Sequence, residues 1–196
     1  MDKPKWLFAT NNAHKLEEAR EILANCAEIV SLQELGLDFE VEENGLDFLQ
    51  NARIKAEAYS KAAGIPCFAD DSGLCVDALH GEPGVWSARY AGSPCNHQAN
   101  NSKLLQALEG LENRSAQFAC VIATQGLHPE NPSFEGRVSG RIAEDLSGQT
   151  GFGYDPLFIP DGYEHSFAEL GPAIKNQLSH RALALNQMAA YLLEQA

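Results

Sequence analysis

Apolar positions along this chain follow two periods. Lys5-Trp6-Leu7-Phe8-Ala9 is a short, nearly unbroken apolar run, the pattern of a buried strand. Asn11 and Asn12 follow with side chains suited to an N-cap, and Leu16, Ala19 and Leu23 recur on one face, predicting a helix from Ala13 to Ala24. A second helix is expected from Asp47 to Ala63, where Phe48, Ala52, Ala56, Tyr59 and Ala63 keep helical spacing and Gly64 supplies a stop. Pro66 to Ala69 restarts extended chain. Gly81 to Pro94 is rich in Gly and Pro with two aromatics, the mark of an ordered loop. A short helix from Gln98 to Glu109 precedes two strands, Ser115–Gln125 and Phe134–Glu144, around a turn at His128-Pro-Glu-Asn-Pro. Ser147 to Tyr163 is a second glycine-rich loop region, and a last helix from His180 to Gln195 carries Leu185, Met188, Ala189 and Leu192 on one stripe. With no repeat, low-complexity tract or linker, the pattern predicts one α/β domain over residues 1–196.

Composition narrows the classes. At 196 residues and 44% hydrophobic, the chain can bury a full core, as one domain or two small lobes, and disorder is excluded. Its 14 Lys+Arg against 27 Asp+Glu leave a net charge of −13, which argues against nucleic acid or an anionic membrane as partner. A polyanionic substrate must therefore meet a few placed cations or a metal. The five cysteines are scattered and lack zinc-ligand spacing, as expected of reduced thiols in the cytoplasm. The start, Met1-Asp2-Lys3-Pro4-Lys5, leads into the four apolar residues Trp6 to Ala9, short of the ~7–15 of a signal-peptide core. The later run Phe118 to Ala123 is far below the ~20 residues of a membrane span.

Four polar segments hold the candidate chemistry. Thr10-Asn11-Asn12-Ala13-His14-Lys15 lies at a strand-to-helix junction, where free amides and a lysine attract phosphate, although an ordinary Asn cap looks the same in sequence. Asp70-Asp71-Ser72-Gly73 is expected at the end of the Pro66–Ala69 strand; one Asp can face a site while the other supports it, or the string is turn chemistry. Glu42-Glu43 could add an oxygen ligand for Mg²⁺. Gly151-Phe152-Gly153-Tyr154-Asp155-Pro156 offers a ring for stacking and an acid to read a polar edge, or a tight turn with a core aromatic. Lys175 with Ser179-His180-Arg181 gathers cationic donors, or solvated charges that cap the last helix. His97 and His128 have no partner in sequence and are expected at the surface, and no Gly-x-Ser-x-Gly or HExxH string occurs.

Taken in order, Thr10-x-Asn12-x-x-Lys15, Glu42-Glu43-x-Gly45, Asn51-Ala52-x-x-Lys55-Ala56, Ala69-Asp70-Asp71-Ser72-Gly73-Leu74, Gly84-Val85-x-Ser87-Ala88-Arg89-Tyr90, Gly151-Phe152-Gly153-Tyr154-Asp155-Pro156 and Ser179-His180-Arg181 resemble the inosine triphosphate pyrophosphatase (Ham1-like) family. The likeness spans about residues 6 to 193, and the bacterial dITP/XTP pyrophosphatase branch is similar in length. It implies an elongated mixed twisted sheet with flanking helices, two lobes around a cleft, and a homodimer. It also implies Mg²⁺-dependent hydrolysis of ITP, dITP and XTP between the α- and β-phosphates, which removes deaminated purines from the nucleotide pool. By position, Asp71 resembles the general base and metal-linked carboxylate, and Glu42 the other metal ligand. Thr10, Asn11, Asn12 and Lys15, with Lys55 and Ser72, would hold phosphates. Phe152, Gly153, Tyr154, Asp155, Lys175, His180 and Arg181 would bind the base and nucleotide body.

Phosphoryl substitution asks for positioning and charge neutralisation rather than a covalent nucleophile, which such residues can supply. Hypoxanthine and xanthine present an acceptor at O6 and a donor at N1, adenine the reverse; donors from His180 or Arg181 toward O6 would leave unpaired groups with adenine. Two positions depart from the family pattern: Asn11, where Gly is frequent, and Ile174, where an acid is common. A Maf-like pyrophosphatase of other base preference and a silent nucleotide-binding module are the alternatives.

Overall fold

A computed structural model describes residues 3–194, so Met1 and Asp2 of the expected start, and the expected helix end at Gln195, lie outside the described residues. The described strands are β1 (Lys5–Phe8), β2 (Glu28–Ser31), β3 (Cys67–Val76), β4 (Ser115–Gln125), β5 (Ser133–Ile142) and β6 (Phe158–Pro160). The helices are α1 (Ala13–Ile22), α2 (Phe48–Ala63), α3 (His97–Ala107), α4 (Phe167–Leu178) and α5 (His180–Glu194). Strand order is β2-β1-β3-β4-β5-β6 in one mixed sheet: β1 runs parallel to β2 and β3, β5 antiparallel to β6. The fold is α/β, as the apolar patterning predicts.

The chain forms two compact units. One takes residues through Asp71, Cys120–Gly136 and those from Arg181 onward; the other takes Ser72–Ala119 and Arg137–His180. In the first unit the apolar run of β1 is explained by burial on both faces. Trp6 and Phe8 join Leu23, Phe68, Ile122, Leu185 and Met188, while Leu7 and Ala9 join Val30, Ala56, Tyr59 and Cys67. Phe8 pairs in register with Phe68, and their rings stack at 4.5 Å. In the second unit Leu74, Val76, Leu104, Phe118, Leu157, Phe158 and Phe167 form the core.

Helix ends follow the cap chemistry. Asn12 accepts from the amides of His14 (3.0 Å) and Lys15 (3.3 Å), Asp47 accepts from Gln50 (2.8 Å), and Gly64 ends α2 in the left-handed conformation.

Two expectations are corrected, and one helix is added. The strand that starts near Pro66 does not end at Ala69: β3 continues to Val76, so Asp70 to Gly73 are strand residues rather than a turn. Gly73 permits this, because a Cβ there would sit 2.2 Å from the Gly84 carbonyl oxygen; Ser87 Oγ closes the gap by accepting from Leu74 N (2.9 Å) and donating to Gly84 O (2.6 Å). The Ser147–Tyr163 loop region contains β6, whose Ile159 pairs with Arg141. Helix α4 escapes the pattern because Gly171 (φ 79°) and Pro172 interrupt it, although a Ser166/Glu169 capping box starts it.

Candidate active site

In the first unit, acids and cations converge from four elements. Asp70 on β3 is 1% exposed, and its carboxylate meets Lys15 of α1 at 2.9 Å and Arg181 of α5 at 3.1 Å. Cys120 Sγ of β4 donates to the same carboxylate at 3.7 Å, and Arg181 also reaches Glu18 at 3.0 Å. Burial alone would raise the Asp70 pKa, but Lys15, Arg181 and Lys55 outweigh it and hold the carboxyl well below the usual range. Asp70 is thus held as an anion at neutral pH and fixes two cations.

Asp71 turns to another element, as alternation in a strand requires. Its Oδ2 accepts from Asn51 Nδ2 of α2 at 3.0 Å, and burial raises its pKa against the opposing pull of Lys55. Lys55 pairs with Glu43 at 2.9 Å; burial would lower its pKa, yet Asp71, Glu43 and Asp70 raise it, so the ammonium stays charged. A carboxylate more basic than usual, beside a fixed ammonium, can accept a proton from water while the cation meets developing negative charge.

The other phosphate candidates are placed as follows. Thr10 Oγ1 accepts from Asn12 N at 3.2 Å, Asn11 is exposed, and Asn12 caps α1, so its side chain occupies two amides that a phosphate could use. Ser72, half-buried, is the first residue of the second unit. Glu42 is exposed, and it is Glu43 that contacts Lys55. Among the described residues no group of three or more His, Cys, Asp or Glu forms a metal cage. Mg²⁺ needs only one or two carboxylates when phosphates and water complete the shell, and Asp71 and Glu42 are donors of the right hardness.

The second unit holds the glycine-flanked aromatic. Gly151 (φ 78°) and Gly153 (φ 64°) turn the chain about Phe152, whose amide donates to Asp155 Oδ2 at 2.8 Å. A Cβ on Gly151 would collide with that same oxygen at 2.3 Å. Lys175 Nζ bonds Asp155 Oδ2 at 2.5 Å and lies 4.3 Å from the centre of the Phe152 ring. The core aromatic of the turn is Tyr154, 4% exposed with its hydroxyl on Ser87 O at 2.9 Å, whereas Phe152 is only half-buried. His180 is buried and stacks on Phe118 at 4.8 Å and 9°. Ser179-His180-Arg181 is therefore no solvated cap: Ser179, His180 and Arg181 are all buried, Arg181 at 2% exposure, and the chain passes between units after His180.

The model of the Ham1 family matches residues 6–191 of this sequence. The chain belongs to the Ham1 family. A protein named dITP/XTP pyrophosphatase from Porphyromonas gingivalis is 51% identical over 190 residues, covering 96% of this chain and 97% of that one. The solved Ham1 protein of Staphylococcus aureus shares 42% identity and superposes with a TM-score of 0.89 over 98% of this chain and all of its own. A HAM1 protein from Coxiella burnetii gives a TM-score of 0.90 at 38% identity, with 97% of this chain and 99% of that one covered.

In this Ham1 family member, sequence reasoning missed Glu18 and Asn51 as side chains that hold Arg181 and Asp71. A charged residue one turn after Lys15 carries no local signal; only the packing of α1 beside α5 makes it a partner. His97 is exposed as expected, 6.4 Å from the Phe152 ring, while His128 is half-buried against Tyr191, whose hydroxyl lies 3.3 Å from Nδ1.

Proposed function

We propose that this protein hydrolyses dITP, ITP and XTP to the nucleoside monophosphate and pyrophosphate, removing deaminated purines from the nucleotide pool. The observation that carries this is the Asp70–Asp71 pair, one carboxylate buried among cations and its neighbour left basic. The names of relatives such as the Porphyromonas gingivalis dITP/XTP pyrophosphatase agree with it.

Each unit has its part. In the first, Lys15 and Lys55 neutralise phosphate charge, with Thr10, Asn11 and Asn12 at the start of α1, and Asp71 orients and deprotonates the attacking water. Asp71 and Glu42 would hold Mg²⁺, which would supply further charge neutralisation on the phosphates. In the second, Ser72 adds a hydroxyl toward phosphate, Phe152 stacks on the purine, and Gly153, Tyr154, Asp155 and Lys175 fix that platform. His180 of the second unit and Arg181 of the first are assigned as donors toward O6, a contact that adenine cannot return.

We assign the working form to a homodimer in the cytoplasm. The dimer follows from the family resemblance, and the compartment suits five free cysteines. A charge of −13 speaks against nucleic acid as partner, and among the described residues no helix is long and apolar enough to cross a membrane.

The test is product release from ITP, XTP, dITP, GTP and ATP with Mg²⁺, resolving pyrophosphate from orthophosphate. Pyrophosphate from the first three with little from GTP and ATP is the expected result. Orthophosphate, or no turnover, overturns the assignment.

A further inference from the structure

Phe152 stands between two glycines, so its own backbone does little to fix where the ring lies. What fixes it are the groups that clamp the turn. One clamp is Asp155, which accepts from Phe152 N at 2.8 Å and is itself held by Lys175. The other comes from α3, an element to which the sequence attached no chemistry. Asn101 Nδ2 donates to the Gly153 carbonyl oxygen at 3.0 Å.

The orientation of that amide is decided by chemistry. A carbonyl can only accept, so the nitrogen of Asn101 must face Gly153, and the other end of the amide is its oxygen. Asn101 is 5% exposed, and its Oδ1 is buried with no hydrogen-bond partner among the described residues. A buried acceptor without a donor costs stability, and an apolar side chain of similar size would avoid that cost. The preceding residue behaves differently. Asn100 uses its whole amide, donating to Ala88 O at 3.0 Å and Ser87 O at 3.3 Å while accepting from Ala91 N at 2.7 Å. Asn100 is thus satisfied as a structural clamp, whereas the Asn101 side chain makes one bond among the described residues, to the glycine that follows Phe152.

We propose that Asn101 is a positioning residue for purine binding: by holding the Gly153 peptide it sets the plane that the Phe152 ring offers to the base. It acts on the base end and not on phosphoryl transfer, and it rests on the role of Phe152 as base platform given above.

The experiment is steady-state kinetics with dITP for wild type, Asn101→Leu, Asn101→Asp, Phe152→Ala and the Asn101→Leu/Phe152→Ala double variant, with thermal unfolding of each. Asn101→Leu is expected to raise KM about two- to tenfold, the span that one neutral hydrogen bond is worth in an equilibrium constant, with kcat within about twofold. Its Tm should stay within about 2 °C of wild type, since the lost bond is offset by removal of the unsatisfied oxygen. In the Phe152→Ala background the same change should leave KM unmoved, because the ring through which it acts is gone.

A KM effect that persists without the ring, or a fall in kcat at constant KM, overturns the proposal. If Asn101→Leu fails to fold, Asn101→Asp keeps the size while removing the donor and decides the same question. Phe152→Ala separates the two levels. A raised KM there with no effect at Asn101 overturns the positioning role alone, and an unchanged KM overturns the platform and the proposal with it.

Discussion

Asp70 and Asp71 share a peptide bond and have opposite electrostatics. Both are desolvated, but Asp70 lies against Lys15 and Arg181 at 2.9 and 3.1 Å and is driven below the usual carboxylate range, whereas burial drives Asp71 above it against the pull of Lys55 and the Asn51 hydrogen bond. Two adjacent acids whose pKa values are pushed apart divide the work of anchor and base. The expectation that one Asp faces the chemistry and the other supports it thus acquires an assignment in the proposed mechanism: Asp71 acts and Asp70 supports.

Asp71→Asn is expected to abolish pyrophosphate release while the fold survives. The raised pKa means that burial disfavours the ionised form in the native state, so a neutral isostere should leave the urea midpoint at neutral pH equal to or above that of wild type. Hydrolysis near the wild-type rate would remove Asp71 from the mechanism.

Asp70→Asn should do the reverse for stability. It leaves Lys15 and Arg181 facing a neutral amide, and breaking such a buried pair costs about 3–5 kcal/mol. The sign with pH follows from a folded pKa below the ordinary 3.8. The contribution is fully present above that ordinary value and is lost as pH falls from it toward the folded value. Urea unfolding of both proteins from pH 7 to pH 3 should show a wide gap that narrows only below about pH 4; a gap independent of pH would contradict the assignment.

Phe152→Ala should raise KM for ITP about five- to 150-fold, in line with the ~1–3 kcal/mol of a base stacked on an aromatic ring, and move kcat less. Michaelis curves for ITP and dITP check this.

Removal of divalent metal by EDTA should stop turnover and leave the far-UV circular dichroism unchanged, with activity restored by Mg²⁺. The buried Asp70 and Arg181 and the half-buried Lys15 satisfy one another without a metal, so the proposed ion is expected to serve the reaction rather than the fold. Loss of folded structure on chelation would show the opposite.

Much of the fold was legible in the sequence because it is written in local rules. The β1 run, the Asn12 and Asp47 caps, the Gly64 stop and the stripe of α5 depend on residues within a turn or two of each other. β2 and β6 were missed because four- and three-residue strands are too short to show a period. Helix α4 was hidden by Gly171-Pro172, which is punctuation in a sequence but only a kink between two helical stretches once Phe167 and Ala168 are buried.

By itself the sequence determined the family, the α/β class, the helix caps and the residue types at the site, since motif order, periodicity and capping are properties of neighbours along the chain. Only the tertiary structure decided what those residues face. It placed Asp70 rather than Asp71 between Lys15 and Arg181, made Glu43 rather than Glu42 the partner of Lys55, and drew Glu18 and Asn51 into the site. The physical reason is that an ion pair, a desolvated carboxyl or a clamped peptide depends on distances of a few ångströms between groups far apart in sequence, such as Arg181 and Asp70 at 3.1 Å. Spacing along the chain does not encode such distances; packing does.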